Sequence, residues 1–216
     1  FHKDGFLILP KSNSYIISKN KRKLEKVLVS RNYELNFISK KIIKKNIKLK
    51  KAIFLDRDGV INYDFGYVYE WSKFKFRPGV IKGLKYIVKN KYLLFIITNQ
   101  SGIGRGYFSE DQFHSLQKKL KQFLSKKKIF IDDIQYSPYH PKAKIKKFKR
   151  NSKLRKPGNL MIKNIFKIFD VDINKSFMIG DRQSDKIAAS KSKLKFFYTK
   201  GNFYSQVKEI NMSLKK

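Results

Sequence analysis

Cysteine is absent from the 216 residues, which excludes disulfides and thiolate metal ligands and fits a reducing compartment. Long apolar runs are missing too. The longest, Tyr92 to Ile97, falls far short of the roughly 20 residues that cross a bilayer, and no signal-peptide core leads the chain. A cytoplasmic protein without membrane contact is expected. Acidic residues are scarce, 16 against 51 Lys and Arg, for a formal net charge of +35.

Such a charge points first to nucleic acid. Its make-up points elsewhere. Lys outnumbers Arg 43 to 8, and Ile, Asn, Phe and Tyr are plentiful, the bias of AT-rich codons. The charge is also spread out: residues 1–49 hold 13 basic and 3 acidic side chains (+10), which leaves +25 for the rest. Polyanion sites usually cluster their charge and favour arginine, so a nucleic-acid partner is not expected. With 41% hydrophobic and 15% aromatic residues the chain can fill the core of one α/β domain.

From residue 51 onward, short apolar runs alternate with helical periodicity, the pattern of a parallel sheet covered on both faces by helices. Strands are predicted at Lys51–Asp56, Tyr92–Asn99, Ile129–Tyr136, Phe177–Asp181 and Leu194–Thr199. Helices are predicted over residues 80–89, after Ser109 with Gln112 completing a capping box, after Pro157, and through Ile187 and Ala188. A lysine-rich loop fills 138–156. Residues 1–49, with a helix predicted over Lys21–Val29, do not share this rhythm and read as an N-terminal extension to a domain of residues 50–216.

In an open α/β sheet, ligands bind beyond the carboxyl ends of the strands. There the sequence places Asp56 and Asp58, then Thr98 and Asn99, then Asp181 and Asp185. Any one Asp is most simply a turn or cap residue, but the whole set would need coincidences at several strand ends. Acidic groups so placed repel one another without a cation, and hard oxygen ligands suit magnesium. Asp185 either orients this site or caps the next helix. Gly102, Gly104 and Gly106 are expected to give the loop after Asn99 its freedom.

The stretches FLDRDGVIN, IITNQSGIGRG, RKPGNLM and MIGDRQSD resemble the four motifs of the haloacid dehalogenase-like (HAD) phosphatases, whose fold is Rossmann-like. The resemblance implies that Asp56 attacks phosphorus to form an aspartyl-phosphate, and that Asp58 protonates the leaving oxygen and later deprotonates water. It implies that Thr98 and Asn99 hold the phosphoryl oxygens by hydroxyl and backbone donors and that Lys156 neutralises the transferring group. It gives magnesium the ligands Asp56, Asp58 and Asp181. A carboxylate nucleophile needs such neutralisation to approach a phosphate dianion.

Within the family, DRDGVIN followed by Asp64, Phe65, Gly66 and Tyr67, then FRPGV, TNQSGIGRG and RKP, is most similar to the branch that removes the 7-phosphate of D-glycero-D-manno-heptose 1,7-bisphosphate for surface lipopolysaccharide. The similarity covers roughly residues 50–200. It implies substrate contacts from Asp64 to Tyr67, from Thr98, Asn99, Gln100 and Ser101, and from Arg155, Lys156 and Arg182, and a small phosphorylated sugar as the partner of a monomeric enzyme. Histidinol phosphate and a polynucleotide end are the alternative substrates, and a non-catalytic basic protein on the same scaffold is the alternative function. Many relatives bind zinc through a CPHHP-like segment and a later CxC. Here Ser137, Tyr139, Ser152 and Leu154 stand in those places, so no zinc is expected, and the loop is expected either to order by packing or to be left mobile.

Overall fold

Four apolar residues, Ala52–Leu55, form β1. All four are buried, as a parallel strand covered on both faces requires. β2 (Leu93–Asn99) and β4 (Phe177–Gly180) flank it, with β3 (Asp133–Ser137) and β5 (Lys195–Tyr198) outside them. The order is β3-β2-β1-β4-β5 and every pairing is parallel. This computed structural model describes residues 48–214, so the predicted helix over 21–29 and nearly all of the N-terminal extension lie outside the described residues.

The chain winds from β1 out to β3 and then returns past its own start to place β4. The topological switch point therefore lies between β1 and β4, where a crevice opens at the carboxyl ends of the strands. Leu55 is in register with both Ile96 and Ile179. Residues leaving β1, β2 and β4 are thus delivered to one place.

Side chains alternate between faces. Ile53, Leu55, Leu94, Ile96, Phe177 and Ile179 face a core that also takes Leu84 and Ile87 of α1 (Val80–Lys89), Leu116, Leu120 and Leu124 of α3 (Glu110–Ser125), and Phe203, Val207 and Ile210 of α6 (Phe203–Ser213). On the opposite face Phe54 packs its ring 5.1 Å from Phe95 and edge-on to Phe166 of α4 (Leu160–Phe166). Each such side chain contributes roughly 2 kcal/mol of burial. α5 (Gln183–Ser190) joins β4 to β5. Among the described residues, no helix is long and apolar enough to cross a membrane.

The expected capping box closes: Gln112 N donates to Ser109 Oγ at 3.1 Å and Ser109 N donates to Gln112 Oε1 at 2.8 Å. Two boundaries differ from expectation by more than one residue, and two helices add to it. β3 starts at Asp133 rather than Ile129, because Asp132 turns its carboxylate to accept the Leu94 N–H at 2.8 Å, while Ile129 fills the core beneath the end of α3. The helix after Pro157 starts only at Leu160; the Lys156–Pro157 peptide is cis, and a turn intervenes in which Gly158 N donates to Arg155 O.

The glycine-rich loop is instead the helix α2 (Ser101–Arg105). Gly102 and Gly104 are there for close packing, since a β-carbon at Gly102 would enter the Phe108 ring and one at Gly104 would meet the Pro138 carbonyl. Only Gly106 has positive φ among the three. Helix α6 was not anticipated. Asn202 caps it by accepting from Tyr204 N and Ser205 N, and Phe203 packs where Gly83 of α1 leaves no side chain.

Candidate active site

Asp56 and Asp58 leave the end of β1 through a tight turn in which Arg57 O accepts the N–H groups of Ile61 and Asn62 at 2.8 and 3.2 Å. Gly59 makes this turn possible. Its φ is +81°, and a β-carbon there would strike the Asp181 carboxylate. Arg77, in the segment that pairs with Asn62, donates to Gly59 O and to Thr199 Oγ1, bracing the turn from behind.

Lys156 arrives from the loop before α4 and is buried. Its ammonium lies 3.0 Å from Asp56 Oδ1 and 2.6 Å from Asp185 Oδ1, and donates to Ile97 O at 2.8 Å. Burial opposes the ammonium, but the two carboxylates outweigh it and raise the Lys156 pKa. Asp56 is pushed up to about 7, first by burial and then by Asp185 and Asp58, with Lys156 opposing. Burial and Asp185 also raise Asp181.

Asp185 does both things considered for it. Its Oδ2 accepts the Arg182 N–H at 2.9 Å, capping α5, while Oδ1 faces Lys156. Gly180 permits this approach, since a β-carbon there would collide with the Asp185 side chain.

Magnesium, which the family resemblance implies, fits these residues. Carboxylate oxygens of Asp56, Asp181 and Asp185 lie within 4.8 Å of one another, and Asp181 Oδ1 is buried without a hydrogen-bond partner. The Asp58 carboxylate is engaged elsewhere. It accepts from Arg57 Nε and Nη2, from Asn62 Nδ2 at 2.9 Å and from Gln100 Nε2 at 2.9 Å. The structure thus groups Asp185 with Asp56 and Asp181, and sets the side chain of Asp58 beside the group rather than in it.

Thr98 is buried and its Oγ1 accepts from Gln100 Nε2 at 2.8 Å. The Asn99 side chain is committed to Lys156: Nδ2 donates to Lys156 O and Oδ1 accepts from Lys156 N. Ser101 opens α2. At the rim, Asp64 accepts from Gly66 N and from Arg182 Nη2 at 2.8 Å. Phe65 and Tyr67 are exposed, Tyr67 with a φ of +53° and its ring 4.5 Å from that of Tyr107. Arg155 is half-buried, approaches Tyr139 O at 3.4 Å and feels Arg105, Arg182 and Tyr67.

The loop over 138–156 is built without cysteine. Ala143 and Phe148 pack with Ile103, Phe108 and Phe113. The His140 ring lies 3.1 Å from Arg105 Nη2, and Arg150 donates to the Tyr139 hydroxyl at 2.7 Å. Sequence reasoning missed Arg57, whose guanidinium is fully buried; no signal in one sequence distinguishes it from an exposed arginine between two aspartates.

The family model described as polynucleotide kinase 3 phosphatase matches residues 47–210. A D-glycero-beta-D-manno-heptose-1,7-bisphosphate 7-phosphatase of Haemophilus influenzae is 43% identical over 147 residues, 68% of this chain and 79% of the relative. A D-glycero-alpha-D-manno-heptose-1,7-bisphosphate 7-phosphatase of Burkholderia mallei is 42% identical over 140 residues, 65% of this chain and 74% of the relative. Among solved structures, the D,D-heptose 1,7-bisphosphate phosphatase of B. bronchiseptica, complexed with magnesium and phosphate, aligns with a TM-score of 0.63 and 25% identity, over 74% of this chain and 86% of that one. A HAD-like phosphatase of Mesorhizobium loti aligns with a TM-score of 0.69 and 22% identity over 78% and 87%, a likeness of fold.

Proposed function

This chain belongs to the HAD-like phosphatases, within the polynucleotide kinase 3 phosphatase family, and on that premise we propose that it removes the 7-phosphate of D-glycero-D-manno-heptose 1,7-bisphosphate. The convergence of Asp56, Lys156, Asp181 and Asp185 at the β1/β4 switch point carries the phosphatase reading. The 43% identity to a protein named for this substrate carries the choice of sugar.

In the first step an Asp56 oxygen bonds to phosphorus while the bond from phosphorus to the sugar oxygen breaks, and the departing oxygen takes a proton from Asp58. In the second, Asp58 takes a proton from water as that oxygen attacks phosphorus, and the Asp56 carboxylate is released. Lys156 offsets charge on the transferring group and on Asp56. Thr98 offers its hydroxyl to a phosphoryl oxygen, while Asn99 acts by holding the Lys156 main chain. Magnesium, held by Asp56 and Asp181 with Asp185 beside them, would withdraw charge from the phosphoryl oxygens.

Asp64 and Arg182, joined by an ion pair, form one wall of the entrance, with Phe65, Gly66 and Tyr67 above it. Arg155, with no carboxylate partner among the described residues, is suited to a second phosphate or a sugar hydroxyl. No zinc takes part. The family model's own description favours a second reading, a 3′-phosphorylated polynucleotide end.

The test is magnesium-dependent phosphate release from heptose 1,7-bisphosphate, with histidinol phosphate and a 3′-phosphorylated oligonucleotide in parallel and Asp56→Asn as the control. Release from the heptose with retention of the 1-phosphate, abolished in the control, is expected. Preference for the oligonucleotide would replace this reading with the second.

A further inference from the structure

We infer that Arg57, the residue between the two aspartates, is a positioning residue that fixes the Asp58 carboxyl for proton transfer and ties it to the loop facing substrate. The inference rests on the function proposed above. The guanidinium grips Asp58 as a fork: Nε lies 3.2 Å from each carboxylate oxygen and Nη2 lies 2.9 Å from each. The same Nη2 donates to Val68 O at 2.7 Å. Val68 ends the segment that exposes Phe65 and Tyr67, so one planar group spans from the proton-transfer carboxyl to the rim of the site.

Stability does not account for this arginine. A buried ion pair contributes little beyond what a packed apolar side chain of similar volume would. Here Nη1 is also buried with no hydrogen-bond partner, a further cost. The Arg57 side chain is 0% exposed and lies over the Phe113 ring, a setting that a methionine could fill. What methionine could not do is donate in two directions from one plane, and lysine could do so only as a point charge.

Asn62 and Gln100 complete the grip on Asp58. Asp58 is therefore held on several sides; Asn62 Nδ2 also donates to Tyr63 O at 2.8 Å, where the substrate loop begins, and Arg57 reaches the end of that loop at Val68. A group displaced by about 1 Å can lose on the order of 10²-fold in rate. Attack by Asp56 needs no such help when the leaving group departs unprotonated, as p-nitrophenolate does.

The experiment compares the full chain with Arg57→Met, Arg57→Lys and Asp58→Asn in magnesium buffer. Steady-state turnover of heptose 1,7-bisphosphate and the pre-steady-state burst from p-nitrophenyl phosphate are measured, with melting temperature recorded for each. Arg57→Met is expected to lower kcat on the sugar by about 10²-fold, to leave KM within about threefold and to leave the burst rate within about threefold, the pattern also expected of Asp58→Asn. The double variant Arg57→Met with Asp58→Asn is expected to be no slower than Asp58→Asn alone. Arg57→Lys, which keeps charge and stem, is expected to lose about tenfold in the same step only, and it serves if the methionine variant does not fold. Equal loss in burst and turnover, additive effects in the double variant, or unchanged turnover in Arg57→Lys would overturn the inference. No turnover of either compound by the unsubstituted chain would overturn the proposed function instead.

Discussion

Asn99 and Lys156 hold each other by two main-chain to side-chain hydrogen bonds: Asn99 Nδ2 donates to Lys156 O at 3.1 Å, and Lys156 N donates to Asn99 Oδ1 at 3.0 Å. The end of β2 is thereby latched to the loop that delivers the buried ammonium. Asn99→Ala frees that loop, and a fall in kcat of about tenfold or more is expected, with Asn99→Asp intermediate because it keeps only the acceptor. Steady-state kinetics on the heptose substrate would check the order of the three.

Replacing Lys156 by Met leaves Asp56 and Asp185 without their shared cation. Loss of kcat by about 10²- to 10³-fold is expected. The repulsion that remains should also make stability depend more on magnesium, so the drop in melting temperature on chelation should be larger in the variant than in the unsubstituted chain.

Magnesium held by the folded cluster, as proposed, and not by the unfolded chain should raise the melting temperature in proportion to the logarithm of its concentration. Asp181→Asn should abolish most of that rise, since it takes the negative charge from the carboxylate whose Oδ1 has no hydrogen-bond partner. An unchanged thermal shift in this variant would remove Asp181 from the metal site.

Burial raises the pKa of Asp132, against the pull of its hydrogen bond from Leu94 N. A carboxyl whose folded pKa lies above its unfolded one contributes stability in full below the unfolded value of about 3.9. That contribution is lost as pH rises through the folded pKa. Asp132→Asn keeps an acceptor for Leu94 and carries no charge, so its melting curve should match the unsubstituted chain at low pH and lie above it at neutral pH.

The 138–156 loop is expected to hold without zinc. Chelation followed by magnesium alone should restore full activity. Phe148→Ala should cost about 3 kcal/mol and raise KM, because Phe148 anchors the loop against Ile103 and Phe108.

Periodicity and capping chemistry made α1 and the start of α3 legible in the sequence to the residue, and apolar runs bounded by polar residues located four of the five strands closely. The fifth, β3, was placed too early because Ile129 and Ile131 continue an apolar run that the Asp132 side chain interrupts by bonding to β2. Helix α2 was hidden because propensity counts Gly102 and Gly104 against a helix, whereas tight packing on Phe108 and Pro138 decides the matter. Helix α6 had a signal that went unused, with Asn202 as cap and Phe203, Val207 and Ile210 at helical spacing. The acidic positions could be read from their places after strands. The separate engagement of Asp58, the twofold use of Asp185 and the burial of Arg57 could not, since each depends on side-chain direction in three dimensions.

The strand order has a consequence for synthesis. β1, β2 and β3 can pair in the order in which they emerge, but the second edge of β1 is filled only by β4, late in the chain. Until Phe177–Gly180 has been made, the most apolar strand of the sheet presents an unpaired edge, the situation that favours association between nascent chains. A product truncated before Phe177 is therefore expected to be insoluble, and appearance of that truncated chain in the soluble fraction would count against this account. The crossover that brings Asp181 beside Asp56 thus also sets how long the unfinished chain remains exposed to its neighbours.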